Sequence, residues 1–158
     1  MSLAENLRFA QDACAYVASK MTIGSGNQPD SSPDADACVA FIRSTMLSTD
    51  NFIPHLAARA IANGCGNCGE QAAIAFEFLR SKGVSPVDYM NLNDPNGTAI
   101  HSFVVISFSS DGNSSSWGSD AVICDPWDTS QSYPATQIAQ QMSLWQTGSS
   151  VVTIRREE

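Results

Sequence analysis

Three side chains that together can open an amide bond occur in one order along this chain. Cys68 sits in a glycine-rich turn, His101 stands near the start of an apolar stretch, and Asp125 closes a second one. A thiolate attacks a carbonyl carbon. An imidazole that titrates near neutrality takes the thiol proton and later hands it to the leaving nitrogen. A carboxylate behind the imidazole holds the productive tautomer and stabilises its charged form.

The turn explains the choice of cysteine. Gly64, Gly66 and Gly69 fall within six residues, Gly64-Cys65-Gly66-Asn67-Cys68-Gly69. Each glycine costs about 1 kcal/mol inside a helix relative to alanine, so this is a turn. The run from Ala72 to Leu79 is apolar on nearly every side and closes with Arg80, Lys82 and Gly83. That pattern predicts a buried helix with Cys68 at its N-terminus. There the helix dipole and unpaired backbone N–H groups favour a thiolate. The Cys68 N–H opens the helix and is the first candidate for an oxyanion hole, with Asn67 or Asn63 as the second donor. Glu70, in the first turn, reads as a helix-start or salt-bridge residue.

Rival assignments stay open on the residues alone. Cys65 is a second candidate nucleophile, His55 a second base, and Asp128, Asp120 and Asp94 are rival acids, Asp128 the best placed of them. Cys65, Cys68, His101 and Cys124 form a conceivable structural zinc set, but no second tight ligand pair accompanies Cys65-x-x-Cys68. A thioredoxin-like redox role for the same pair lacks the preceding strand. The reading adopted has no metal and no cofactor.

Cys65-Gly66-Asn67-Cys68 resembles the Cys-Gly-x-Cys signature of papain-type proteases, in which the second cysteine is the nucleophile and the first is structural. The order cysteine, histidine, acid is that of the papain-like and transglutaminase-like enzymes. The Gly66–Glu70 run, the His101–Val105 strand and Asp125-Pro126-Trp127 resemble more closely the bacterial effector and toxin glutamine deamidases of that superfamily. The resemblance spans about Gly64 to Trp127. It implies a papain-like α+β fold, a Cys68–His101–Asp125 triad and a thioester intermediate. It also implies deamidation of a glutamine in a host protein, such as a small GTPase or a ubiquitin-pathway component, with proteolysis or transglutamination as alternatives. An inactive relative that only binds a partner is the non-enzymatic alternative.

The rest of the chain must position these groups. Its length fits one domain, residues 1–158, with a helical part to about residue 83 and a sheet part after it. The net charge of −8 argues against nucleic acid and anionic membrane surfaces, and no apolar run reaches membrane-spanning length. The first residues show neither a basic flank nor an apolar block, so no signal peptide is expected there. Five cysteines do not space as a disulfide scaffold; Cys14, Cys38 and Cys124 read as buried small apolar residues, and an odd number leaves at least one free thiol, which suits a reducing compartment, the producer's cytoplasm or a host cell.

Helices are expected at Leu3–Met21, with Leu7, Phe9, Ala10, Ala13, Cys14, Val17 and Ala18 inward; at Ala35–Leu47, capped by Asp34 or Asp36, with Val39, Phe41, Ile42, Met46 and Leu47 inward; and at Phe52–Ala62. Residues 23–33 read as a solvated connector, and as a lid only secondarily, and Ser48–Asn51 as a break. Strands are expected over Val84–Asn91, Ile100–Ile106 and Trp117–Asp125, with a turn at Asn93–Gly97 and a loop at Ser109–Ser116. A helix over Ala135–Trp145 and a short strand over Val151–Ile154 complete the reading. The fold class is α+β, helices on one antiparallel sheet, with the nucleophile helix against it.

Overall fold

The computed structural model describes residues 1–45, 52–108 and 117–158. The expected break at Ser48–Asn51, the inward Met46 and Leu47, and the loop at Ser109–Ser116 lie outside the described residues.

α1 (Leu3–Lys20) begins at Ser2, whose hydroxyl accepts from the Glu5 N–H while Glu5 reaches back to the Ser2 N–H, a reciprocal cap. Asn6, Ala10, Ala13, Cys14 and Val17 face inward; Ala18 is exposed, contrary to expectation, because it falls outside that stripe. A two-residue strand β1 (Gly24–Ser25) precedes α2 (Pro33–Ser44). Ser32 caps α2 through the Ala35 N–H, with Pro33 at the first helical position, so Asp34 and Asp36 lie in the first turn rather than at the cap. α2 buries Ala35, Val39 and Ile42 but leaves Phe41 exposed. α3 (Phe52–Asn63) follows, then β2 (Cys65–Gly66) and α4 (Cys68–Ser81).

β3 (Val87–Asn93), β4 (Ala99–Ile106), β5 (Val122–Asp125), β6 (Gln131–Pro134) and β7 (Ser150–Glu157) form one antiparallel sheet in the order β6-β5-β4-β3-β7. β6 is an element that the sequence pattern missed, and β7 is longer than expected because it pairs along the whole of β3. In place of the helix expected over Ala135–Trp145 stand a 3-10 turn, Ala135–Gln137, and one turn of helix, α5 (Ile138–Gln141).

The sheet has apolar material on both faces. Val104, Ile106, Val122 and Cys124 pack against α1, α3 and α4, where Phe76, Ile74 and Leu79 are fully buried. Phe103, Val105, Ile123, Met90 and Leu92 pack against Trp117, Tyr133, Ile138 and Met142 on the other face. β4 therefore alternates between two cores, as a strand covered on both sides must. The architecture is α+β, with α4 on an antiparallel sheet.

Candidate active site

Cys68 occupies the first residue of α4, where the sequence placed it, and is half-buried. Its turn is built by close backbone approach. Gly64 has φ +74°, and a Cβ there would run into the Thr22 hydroxyl. β1 pairs in parallel with β2, Gly24 opposite Cys65 and Ser25 opposite Gly66. The Gly26 N–H donates to the Gly66 carbonyl at 3.2 Å, and a side chain at Gly26 would collide with Asn67 Oδ1. Gln71 Nε2 donates both to Ser25 Oγ (2.6 Å) and to the Gly66 carbonyl (2.9 Å). The segment expected as a solvated connector is thus one edge of the nucleophile turn. The glycines flanking Ser25 were its sequence signal.

Two cysteine readings are corrected here. Cys38 is not a free thiol: it is joined to Cys65 in a disulfide between α2 and β2. Periodicity sees an inward cysteine and cannot see its partner. The conceivable zinc set is not assembled, since Cys65 is in that disulfide and Cys124 lies against Cys14, sulfur to sulfur 3.8 Å, in the core.

Glu70 is the salt-bridge residue anticipated. It is buried, and Arg43 of α2 donates to both its oxygens, at 2.8 and 3.1 Å. It also accepts from the Asn67 N–H at 3.2 Å. Tyr89 Oη donates to the Gly69 carbonyl at 3.1 Å, tying the same first turn to β3.

His101 and Asp125 come together as paired. β5 pairs with β4 only over Val104–Ile106, so its last residue, Asp125, reaches back to the start of β4. His101 Nε2 and Asp125 Oδ2 are 2.6 Å apart, and both side chains are fully buried. Phe103 stacks against the imidazole at 6.1 Å between centroids, and Trp127 lies tilted over it at 5.1 Å. Trp127 is itself held: its Nε1 donates to the Gly26 carbonyl at 3.2 Å, and its carbonyl accepts from Gln28 Nε2 at 2.7 Å. Gln28 and the clasp it makes had no signal in the sequence beyond loop composition.

With Nε2 committed to Asp125, the Nδ1 edge of His101 is buried and makes no other close hydrogen bond. Burial pulls the imidazole down, but the Asp125 hydrogen bond, the Cys68 thiol and the charge of both groups outweigh it and push His101 up to about 10. Burial pushes the Asp125 carboxyl up, and the His101 hydrogen bond pulls it back.

The rival residues sit elsewhere. His55 is on α3. Asp94 accepts from the Asn96 and Thr98 N–H groups of its turn. Asp120 is exposed. Asp128 is buried near the pair; His101, Asp125 and Asp128 carry ligand atoms within 4.8 Å of one another, a spacing a metal ion tolerates. Asp128, however, accepts from the Ser143 N–H at 2.9 Å and from the Thr129 hydroxyl at 3.3 Å, so it anchors the loop after β5.

The three oxyanion candidates separate. The Cys68 N–H belongs to the first turn of α4, where no residue four back can accept it. Asn67 caps that helix and lines, with Gln28 and Arg43, an open cleft of about 850 Å³. Asn63 turns its amide back onto its own helix, donating to the Arg59 carbonyl at 2.8 Å. A second cleft, of about 390 Å³, is lined by Gly69, Tyr89, Asn91 and Ser102 and shares Arg43 with the first. Among models of protein families, curated proteins and solved structures, none matches this chain.

Proposed function

We propose that this chain is a cysteine-dependent amidohydrolase of papain-like fold, acting on a glutamine side-chain amide of a protein. One observation carries the reading: a fully buried imidazole bonded to Asp125 at 2.6 Å, on a strand packed against the helix that Cys68 opens.

In this reading Cys68 Sγ, its proton passed to His101, attacks the carboxamide carbon. The carbonyl oxygen becomes an oxyanion held by the Cys68 N–H and the Asn67 amide. The C–N bond then breaks, the nitrogen takes the proton from His101, and ammonia leaves a thioester on Cys68. A water, deprotonated by His101, attacks the thioester carbon, and the C–S bond breaks to give glutamate and the free thiol. Asp125 keeps the imidazole oriented and offsets its charge throughout. If an amine replaces water, the same thioester yields a transglutaminase; a main-chain amide would make the enzyme a protease.

A side-chain amide is favoured because both reacting groups are covered. Cys68 is half-buried, and His101 lies beneath Trp127, which the Gly26 and Gln28 contacts hold down. A slender carboxamide reaches such a thiol more readily than a main-chain bond in an extended segment. The resemblance to effector deamidases adds a bacterial protein acting on a protein of another cell, such as a GTPase or a ubiquitin-pathway protein.

The test is iodoacetamide labelling against pH, read by mass spectrometry at each cysteine. Cys68 labels fast well below pH 8, and His101→Ala removes that advantage. The protein is then incubated with host lysate, where glutamine-to-glutamate conversion is expected and cleaved peptides are not. Uniformly slow labelling of every free cysteine would sink the enzyme reading.

A further inference from the structure

The nucleophile turn is fastened to α2, and α2 belongs to neither of the two main cores. Among the described residues, α2 adds only Val39 and Ile42, with Cys65, to a small apolar cluster separate from the two main cores. Its other side-chain ties are the Arg43–Glu70 ion pair, half-exposed on the arginine side and buried on the glutamate side, the Asp36 carboxylate accepting from the Asn27 N–H at 3.3 Å, and the Thr45 hydroxyl at its C-terminus accepting from Arg59. What joins α2 covalently to the turn is the Cys38–Cys65 disulfide. Cys65 stands three residues before Cys68, on the strand that pairs with β1. From Cys65 the order passes through backbone: Gly66 accepts from Gly26 and Gln71, and Asn67 packs on Gly26.

We propose that the Cys38–Cys65 disulfide is a redox control of the candidate site. It rests on the assignment of Cys68 and His101 made above. Closed, the bond positions the turn so that Cys68 faces the imidazole. A dithiol reductant opens it: the S–S bond breaks, each protein sulfur gains one electron and one proton, and the dithiol closes to its own disulfide. Cys38 is half-buried rather than fully enclosed, so a thiol reaches the bond from the α2 side. With the bond open, α2 is held only by non-covalent ties, the small cluster, the Glu70 ion pair and the contacts to Asn27 and Arg59; the β1–β2 ladder loosens, and Cys68 loses its alignment. Cys38 and Cys65 are thus positioning residues, and the enzyme works with Cys68 reduced while this pair is oxidised. The buried pair Cys14 and Cys124 remains as thiols in both states.

The test uses the whole chain, oxidised or treated with a dithiol and desalted, with each cysteine read by mass spectrometry. The expected result is that Cys68 alkylation at pH 6 falls at least tenfold on reduction while far-UV circular dichroism holds. Re-oxidation by oxidised glutathione restores it. The Cys38→Ser/Cys65→Ser variant is slow in both conditions. Once a substrate is found, reduction lowers kcat more than it raises KM. Hydrogen exchange supplies a second readout: amides of residues 24–26 and 65–67 exchange faster in the reduced chain. Fast Cys68 alkylation in both redox states overturns the control and leaves the proposed function standing. Slow alkylation in both sinks the proposed function, and exchange then decides the control alone: faster on reduction sustains it, unchanged overturns it.

Discussion

The two halves of the candidate site are held by different physics. His101 and Asp125 ride on β4 and β5, strands whose neighbours Phe103, Val104, Ile123 and Cys124 are completely buried in two cores. Cys68 rides on a turn whose order comes from glycines, amide hydrogen bonds, an ion pair and one disulfide. Apolar burial is non-directional and strong in sum; backbone approach and covalent ties are local and directional. The acid–base half is therefore expected to be as stable as the fold, and the nucleophile half to be separable from it.

The largest effects are expected at the three groups proposed to react. Cys68→Ala or His101→Ala is expected to lower amide hydrolysis on the order of 10⁴-fold or more, and Asp125→Asn by about 10²- to 10⁴-fold, in steady-state assays with melting temperature monitored. Equal activity in Asp128→Asn and loss in Asp125→Asn would confirm which carboxylate orients the ring; the reverse would exchange them.

The next pair of substitutions separates the halves. Phe103→Ala empties a core position beneath the imidazole and is expected to cost about 3–5 kcal/mol, lowering the melting temperature by roughly 10 °C. Gly26→Ala drives a methyl group into Asn67 and is expected to slow Cys68 alkylation about tenfold, with a melting shift of only about 2–4 °C. A large stability loss in Gly26→Ala would show that the turn is part of the cooperative core after all.

Acidity gives a finer probe. His101 is raised from 6.5 to about 10, so its protonated form stabilises the folded chain. That contribution is whole below about pH 6.5 and is lost as pH rises toward 10. Hydrolysis should lose its general acid only around pH 10, where the folded imidazole titrates, and Asp125→Asn should move that limb to lower pH. A rate still rising above pH 10 would break the assignment.

The smallest effect lies far from the site. Asp88 of β3 is raised to about 6, mainly by burial, with Arg156 lowering it and Glu158 raising it. A raised carboxyl makes the folded state weaker as pH climbs from about 3.8 to 6. Asp88→Asn is expected to flatten that slope in thermal melts, with a change of about 1 kcal/mol or less at pH 7 because the Arg156 contact is weakened too.

Much of the site was legible from local chemistry. Gly64-Cys65-Gly66-Asn67-Cys68 announced a turn at a helix start, and the alternation of β4 announced a strand between two cores with His101 at its mouth. The elements missed were those whose patterns are weak. β6, Gln131–Pro134, ends in a proline and is half polar, and it exists because β5 offers an edge to pair with. The helix expected over Ala135–Trp145 shrank to α5, since Ile138 and Met142 bury against the sheet and Trp145 stays only half-covered.

The sequence by itself determined the residue types, their order and the elements that carry them, because periodicity and glycine spacing are properties of adjacent residues. Tertiary structure alone decided the partnerships: that Cys38 joins Cys65, that Asp125 rather than Asp128 bonds the imidazole, that Asn67 rather than Asn63 lines a cleft beside Cys68, and that residues 24–28 clasp Trp127 over His101. Each is a contact across 20 or more residues, or a choice between side chains a few residues apart. Such distances are set by how layers stack and by which strand edge meets which turn, and no local pattern encodes them.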